Sequence, residues 1–488
     1  MTRLKKTGLA GLLLSGALAL GATQAAAQTL GDALVAAYQN SNLLAQNRAV
    51  LRAADEDVAQ AVASLRPVIN FVASADQRWV DQRWVDQRGT ISAGSQEFPD
   101  PSSPSRLRSA ERAASLRASL DFTIFDFGRR DAEIAAAEAA VRATRQALVG
   151  VEQGVLFNAV SAYMQVRSAA ETVTLRENNL ELIDEELRAA RDRFEVGEIT
   201  QTDVAIAESA LAAARAELAA AEGDLTVARE FYQLAVGETP GALSVPPARP
   251  QTADSLETAQ AIARQQHPDI RSAQHEVAAA EFGLDIARAA RSGEVTAGAD
   301  LGIRFQHGSA AQGVTPRREA GVTLGYSRQL YSGGAQSSRE RQAVARRDQS
   351  RSQLHQTTLE VLQDVGAAWS DVNVSVARID AIEQQIEAAQ QAFEGVSEEA
   401  RLGARTTLDV LDAEQDLLDS QAALIEAEAA QQTATYGLLA AMGLLTVDHL
   451  NLGIPTYDPE AYYEQVRDAP RSSRGDRLDR ALQGIGRN

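Results

Sequence analysis

Cysteine is absent from the 488 residues, which excludes disulfides, thiolate metal sites, cysteine nucleophiles and a lipid-bearing N-terminal cysteine. Lysine is absent after Lys6, so every later strong base is arginine. The formal charge is −19, and it falls to −22 once Arg3, Lys5 and Lys6 are set aside as part of a leader. So acidic a chain has no basic footprint for phosphate, and nucleic acid is not expected as a partner. The five histidines (His267, His275, His307, His355, His449) show no metal-ligand spacing, and neither a metal nor another cofactor is expected. No glycine-rich phosphate loop or Ser/His/Asp motif stands in context, so an enzyme is not expected. Proline is missing from 128–196 and from 334–402, two stretches far longer than an ordinary helix.

The N-terminus reads as a secretory signal over 1–27. Basic residues precede an apolar run from Leu9 to Leu20, and Ala25-Ala26-Ala27 forms a cleavage-type ending. The run falls short of the ~20 residues of a spanning helix. A mature start near Gln28 in a bacterial envelope follows.

The remainder is duplicated. Gly197–Leu211 (GEITQTDVAIAESAL) aligns with Gly403–Leu417 (GARTTLDVLDAEQDL) at an offset of 206, and Gly128 aligns with Gly334 at the same offset. Leu30–Gln39 matches Leu256–Gln265 at an offset of 226, so the first half carries about 20 extra residues before Gly128. They fall around the Gly/Pro/Ser-rich stretch that includes Trp84, which reads as a loop.

The first repeat, 28–250, is expected to hold a helix, strands at about 68–80 and 114–126, a long helix over 128–196 and a helix over 202–237. The second, 251–450, is expected to hold a helix over 256–291, strands at about 295–307 and 319–331, a long helix over 334–402 and a helix over 406–444. Gly128 and Gly334 mark strand-to-helix junctions. Alternation is strict in Leu116–Ile124, where even positions are apolar and odd ones polar, and in Val295–Phe305, where the parity is reversed. Strands of about ten residues cross a bilayer when tilted. Apolar residues recur every seven through Ile134, Val141, Leu148 and Val155, and again through Val365, Val372, Ile379 and Ile386. Sustained sevens indicate coiled-coil packing, and such a helix is ~100 Å long.

Four strands cannot close a membrane barrel, because the smallest have about eight, and an open edge in lipid leaves backbone groups unpaired. The chain must therefore associate with copies of itself. Two copies make eight strands and three make twelve; the polar inner faces favour a channel.

These residues resemble the TolC-like outer-membrane channels over about Leu30 to Leu450. The paired VGEITQTDV and GARTTLDVLDAEQDLL segments and the FDFGRR and YSGGAQ junctions carry the resemblance. It implies an α+β membrane protein: a homotrimer with a 12-stranded outer-membrane barrel, four strands per chain, continued by a long periplasmic helical coiled-coil barrel. It implies a passive export conduit for proteins or small toxic compounds, served by a periplasmic adaptor and an inner-membrane ABC or proton-driven transporter. The wording around Arg401–Gln421 is most similar to type I secretion members.

By the same resemblance, Gly197 and Gly403 are turns at the periplasmic tip. Asp409 and Asp412, three apart on one helical face, line the constriction as stacked carboxylate rings that attract cations and raise one another's pKa. Arg405, Thr202 and Asp203 match positions of polar gate links. Ala400 replaces an aromatic that often belongs to that latch. A plainer reading stays open: Thr406 or Thr407 caps a helix whose first-turn aspartates are favoured by its dipole at ~0.3–1 kcal/mol. Trp79 and Trp84 are candidates for an interfacial aromatic belt beside outer-membrane lipid. The tail, 451–488, is expected to be disordered or to wrap the outside of the tunnel. A periplasmic coiled-coil adaptor or structural envelope protein is the rival reading; it would share the heptads and lack the strands.

Overall fold

The computed structural model describes residues 27–83, 106–246, 250, 252–307 and 315–468. The signal segment, most of the inserted loop with Trp84, and the tail beyond 468 lie outside the described residues.

The first repeat runs α1 (Leu30–Asn40), α2 (Asn42–Ala63), β1 (Val68–Arg83), β2 (Arg106–Phe125), α3 (Arg129–Glu195) and α4 (Gln201–Val236). The second runs α5 (Leu256–Gln266), α6 (Pro268–Ala289), β3 (Glu294–His307), β4 (Thr315–Ser327), α7 (Ala335–Arg401) and α8 (Thr407–Ala441); α9 (Glu460–Val466) follows. The described residues form two compact units. One draws on residues up to Ser41, Leu156–Gln251 and Val372–Tyr436; the other on Asn42–Val155, Thr252–Asp371 and Gly437 onward. Both take residues from both repeats, so compactness does not follow the duplication.

Three expectations need correction. The opening helix of each repeat is two helices. Ser41 is extended between α1 and α2, and His267 is extended between α5 and α6. Pro268 forces the second break, since it starts α6 and disfavours helix at the residue before it. Each break is covered by a C-capping glycine from the end of its own repeat. Gly237 (φ +86°) lies so near Asn40 that an added Cβ would stand 2.7 Å from the Asn40 Cβ; Gly443 (φ +79°) lies equally close to the His267 backbone.

The strands also differ: β2 begins at Arg106 rather than about 114, and β4 spans Thr315–Ser327 rather than 319–331. Last, of the two expectations for the tail, its described residues take the packed one rather than the disordered one and lie against α2 and α3. Tyr463 and Tyr457 pack on Leu51, Val58 and Val141, Tyr462 Oη donates to Glu56 at 2.7 Å, and Arg145 pairs with Glu460 at 3.0 Å while lying over the Tyr463 ring. Three aromatic rings and one ion pair are enough to hold a two-turn helix that its Asp- and Arg-rich surroundings do not foretell.

The four strands form one antiparallel sheet in the order β1-β2-β3-β4. Directly paired residues share a face, so the register separates two surfaces. One carries Phe71, Leu116, Leu301, Val322 and Leu324, all exposed in the single chain. The other carries Ser119, Asp121, Gly298, Asp300 and Thr323, which line a depression of about 590 Å³. The polar face is thus the hollowed one. β1 and β4 are edges without partners in the sheet, and Trp79 is 75% exposed near the far end of β1. Among the described residues no helix is long and apolar enough to cross a membrane.

Strand meets helix through matched caps. Asp126 is buried; its carboxylate accepts from Arg130 N (3.1 Å) and Arg130 Nε (2.7 Å), while Arg130 Nη1 reaches Ser64 O at 3.0 Å. Ser332, 206 residues on, accepts from Gln336 N at 3.3 Å. Gly128 and Gly334 supply the left-handed backbone at φ +85° and +89°.

Candidate functional site

The two turns that join long helix to shorter helix lie in one compact unit and are built alike. α3 ends with Gly197 at φ +81°, where Gly197 N donates to Phe194 O (3.0 Å) and Glu198 N to Arg193 O (2.9 Å). α7 ends with Gly403 at φ +78°, where Gly403 N donates to Ala400 O (3.0 Å) and Ala404 N to Glu399 O (2.9 Å). Both satisfy carbonyls at the helix end through a residue that only glycine adopts freely.

The next helices start with reciprocal caps. Thr200 N and Oγ1 donate to Asp203 Oδ2 at 2.8 and 2.7 Å, and Asp203 N donates back to Thr200 Oγ1 at 3.4 Å. Thr406 and Asp409 repeat this at 2.9, 2.8 and 3.3 Å. The cap is thus Thr406 and not Thr407. Ile199 packs on the apolar cluster that α3 and α4 share, which runs from Ile183 to Ala190 and from Ala207 to Ala214, and so pins the first turn to that pair.

The two turns differ in charge. Arg193 pairs with Glu198 at 3.4 Å in the first; Glu399 pairs with Arg405 at 2.9 Å in the second. The signs at the helix end are exchanged. Phe194, three residues before Gly197, supplies in the first turn the aromatic that Ala400 lacks in the second. It is 43% exposed, whereas Ala400 is buried.

The structure places Asp409 half-buried and Asp412 exposed, three residues apart on α8. Hydrogen bonds from the Thr406 backbone and hydroxyl, with a smaller contribution from Arg405, hold the Asp409 carboxyl below its ordinary range. Asp203 is lowered in the same way by the Thr200 hydroxyl and then the Thr200 backbone. Within one chain Asp409 and Asp203 each face hydrogen-bond donors. Arg405 pairs with Glu399 of its own turn, and Asp203 accepts from Thr200. Thr202 is exposed in the first turn of α4.

The profile described as outer membrane efflux protein matches two stretches, 33–238 and 261–444. The chain belongs to the outer membrane efflux protein family. The outer membrane efflux protein BepC of Brucella suis is 34% identical over 95% of this chain and 96% of its own. The outer membrane protein TolC of Vibrio cholerae is 25% identical over 58% of this chain and 66% of its own. The Campylobacter jejuni CmeC outer membrane channel superposes with a TM-score of 0.68 at 15% identity, covering 96% of this chain and 98% of its own.

This efflux protein is therefore an outer-membrane channel protein that extends into the periplasm, in a family of channels rather than enzymes. Its four strands are one share of a β-barrel continued by helical coiled coil. The strands exclude the adaptor reading. The residues that sequence reasoning passed over are Thr200, Glu399 and Phe194. The Thr-x-x-Asp spacing repeated at 200/203 and 406/409 was a visible capping signal.

Proposed function

We propose that three copies of this efflux protein close a 12-stranded barrel, and that the chain is the passive exit duct of a tripartite exporter. A periplasmic adaptor and an inner-membrane transporter, ABC or proton-driven, dock at the paired turns and supply the energy. Outer-membrane lipid contacts the apolar face of the sheet, and nucleic acid is not a partner. Type I secretion is the branch favoured by the wording around Gly403. Asp409 and Asp412 form stacked carboxylate rings at the constriction, and Gly197 and Gly403 let the turns fold tightly enough to meet at the axis. Arg405, Thr202 and Asp203 are the polar gate links at the tip, formed when copies meet; Arg405 and Asp203 then exchange their partners within the turn for partners on a neighbouring copy.

The observation that carries this reading is a four-stranded sheet with two free edges, one apolar face and one hollowed polar face. In lipid such edges must be closed by further copies.

The constriction is tested with Asp409→Asn plus Asp412→Asn in planar bilayers. The amide oxygen that replaces the Asp409 carboxylate still accepts the Thr406 bonds, so the cap survives and only charge is lost. Cation preference is expected to fall and block by divalent cations to weaken. An unchanged reversal potential removes both residues from the pore.

A further inference from the structure

The concave face of the sheet is banded by charge. Rows are read outward from the end where the strands meet the helices. Asp121 is paired with Gly298, and Asp300 lies in the next row, paired with Ser119 and Gly321. The following row is Arg117–Gly302–Glu319, and the one after is Ser115–Arg304–Arg317. Acid and base bands are centred about four residues apart, or ~13 Å along a strand. Two of the three arginines, Arg304 and Arg317, face each other directly across β3 and β4. Like charges so placed are destabilising. Arg317 shares Glu319 at 2.9 Å, while Arg117 and Arg304 are exposed and have no ion pair among the described residues. Gly302 on the same face carries no side chain, and at Gly321 the Asp300 carboxylate fills the space a Cβ would take, 2.8 Å away. Glu319 takes back one charge in these two rows, and Asp76 on β1, one row further out, takes back another. In a chain of net charge −19, three arginines on two neighbouring rows run against the overall balance.

We propose that Arg117, Arg304 and Arg317 form an anion-binding ring inside the barrel, towards the end remote from the helices, for soluble molecules bearing several carboxylate or phosphate groups. This rests on the reading that copies of the chain close the sheet around its polar face. A guanidinium without a carboxylate partner, as at Arg117 and Arg304, suits oxyanions, which it grips with two parallel hydrogen bonds, and rings of arginine select anions in pores. The acidic band at Asp121 and Asp300 repels the same solute, so binding is confined to the outer rows. A multivalent anion spans copies of the ring; a monovalent one is held little better than in water.

The test uses the full-length protein in planar bilayers, with tripolyphosphate as the probe, added to each side in turn. Wild type is expected to be blocked from the barrel side, less so at high salt. Arg304→Gln plus Arg317→Gln is expected to raise the blocking concentration at least tenfold with single-channel conductance retained. Replacing the same residues with lysine, which keeps the charge, restores most of the block and shows that the barrel still closes. Block of the glutamine variant at the wild-type concentration, or no block of a conducting wild-type channel at millimolar tripolyphosphate, overturns the ring. A wild-type protein that forms no conducting pore instead overturns the channel reading on which the ring depends.

Discussion

Glu414 lies five residues beyond Asp409 and has the opposite environment. Its side chain is 4% exposed, neither carboxylate oxygen has a hydrogen-bond partner, and the charged group acting on it is Glu186 of α3. Burial first, and then the negative charge of Glu186, push its carboxyl up from 4.5 to about 7. In the unfolded chain the group ionises near 4.5, whereas in the folded chain it holds its proton until about 7. Stability is therefore undiminished below about pH 4.5, falls as pH rises towards 7, and stays lowered above that by roughly 3 kcal/mol at most. Glu414→Gln is expected to raise the melting temperature at pH 8 and to leave it nearly unchanged at pH 4.5. Equal shifts at the two pH values in thermal melts of detergent-purified protein would contradict this. A position four beyond Val410 in a heptad pattern reads as core, but nothing in the chain says which neighbour covers it, so the burial of this acid was not legible.

At the scale of elements, the left-handed glycines separate into two kinds. Gly403 at φ +78° has open space where a Cβ would stand, so Gly403→Ala carries only the left-handed backbone penalty of ~1–2 kcal/mol. At Gly443 the same penalty is joined by a backbone atom of His267 at 2.7 Å. Gly443→Ala is expected to lower the melting temperature markedly more than Gly403→Ala, and equal melts for the two would show that the close approach carries no weight. The contrast also marks how far sequence reasoning reached. Seven-residue spacing and the lack of proline located α3 and α7 to within a residue or two, and alternation placed β3 and the helix-proximal half of β2. The helix breaks escaped because a single residue, Ser41 or His267, interrupts an otherwise helical pattern. Pro268 was a legible sign of the second break. The first depends on a glycine nearly 200 residues away. At the turns, the glycines and aspartates were legible by repetition, whereas the exchange of partners, Arg193 with Glu198 against Glu399 with Arg405, depends on which side chain the turn brings round.

Over the whole molecule, the two faces of the sheet should answer differently to the same substitution. Val322 on the apolar face is 87% exposed in the single chain, and its neighbour Thr323 lies on the polar face. Val322→Arg puts a charge against lipid at about 2–4 kcal/mol near mid-depth, while Thr323→Arg points to water. The first is expected to reduce assembled protein in the outer membrane, read as the heat-modifiable oligomer on gels, and the second to leave it near wild type. Equal yields would reverse or erase the assignment of faces.

The free edges of β1 and β4 carry a genetic corollary. Each subunit supplies one half of two seams, so a copy with a faulty edge ruins every ring it enters. Where good and faulty alleles are expressed equally, only about one three-membered ring in eight escapes. Edge lesions in such a gene should therefore behave as dominant, while lesions that merely prevent synthesis should be masked by a single sound allele.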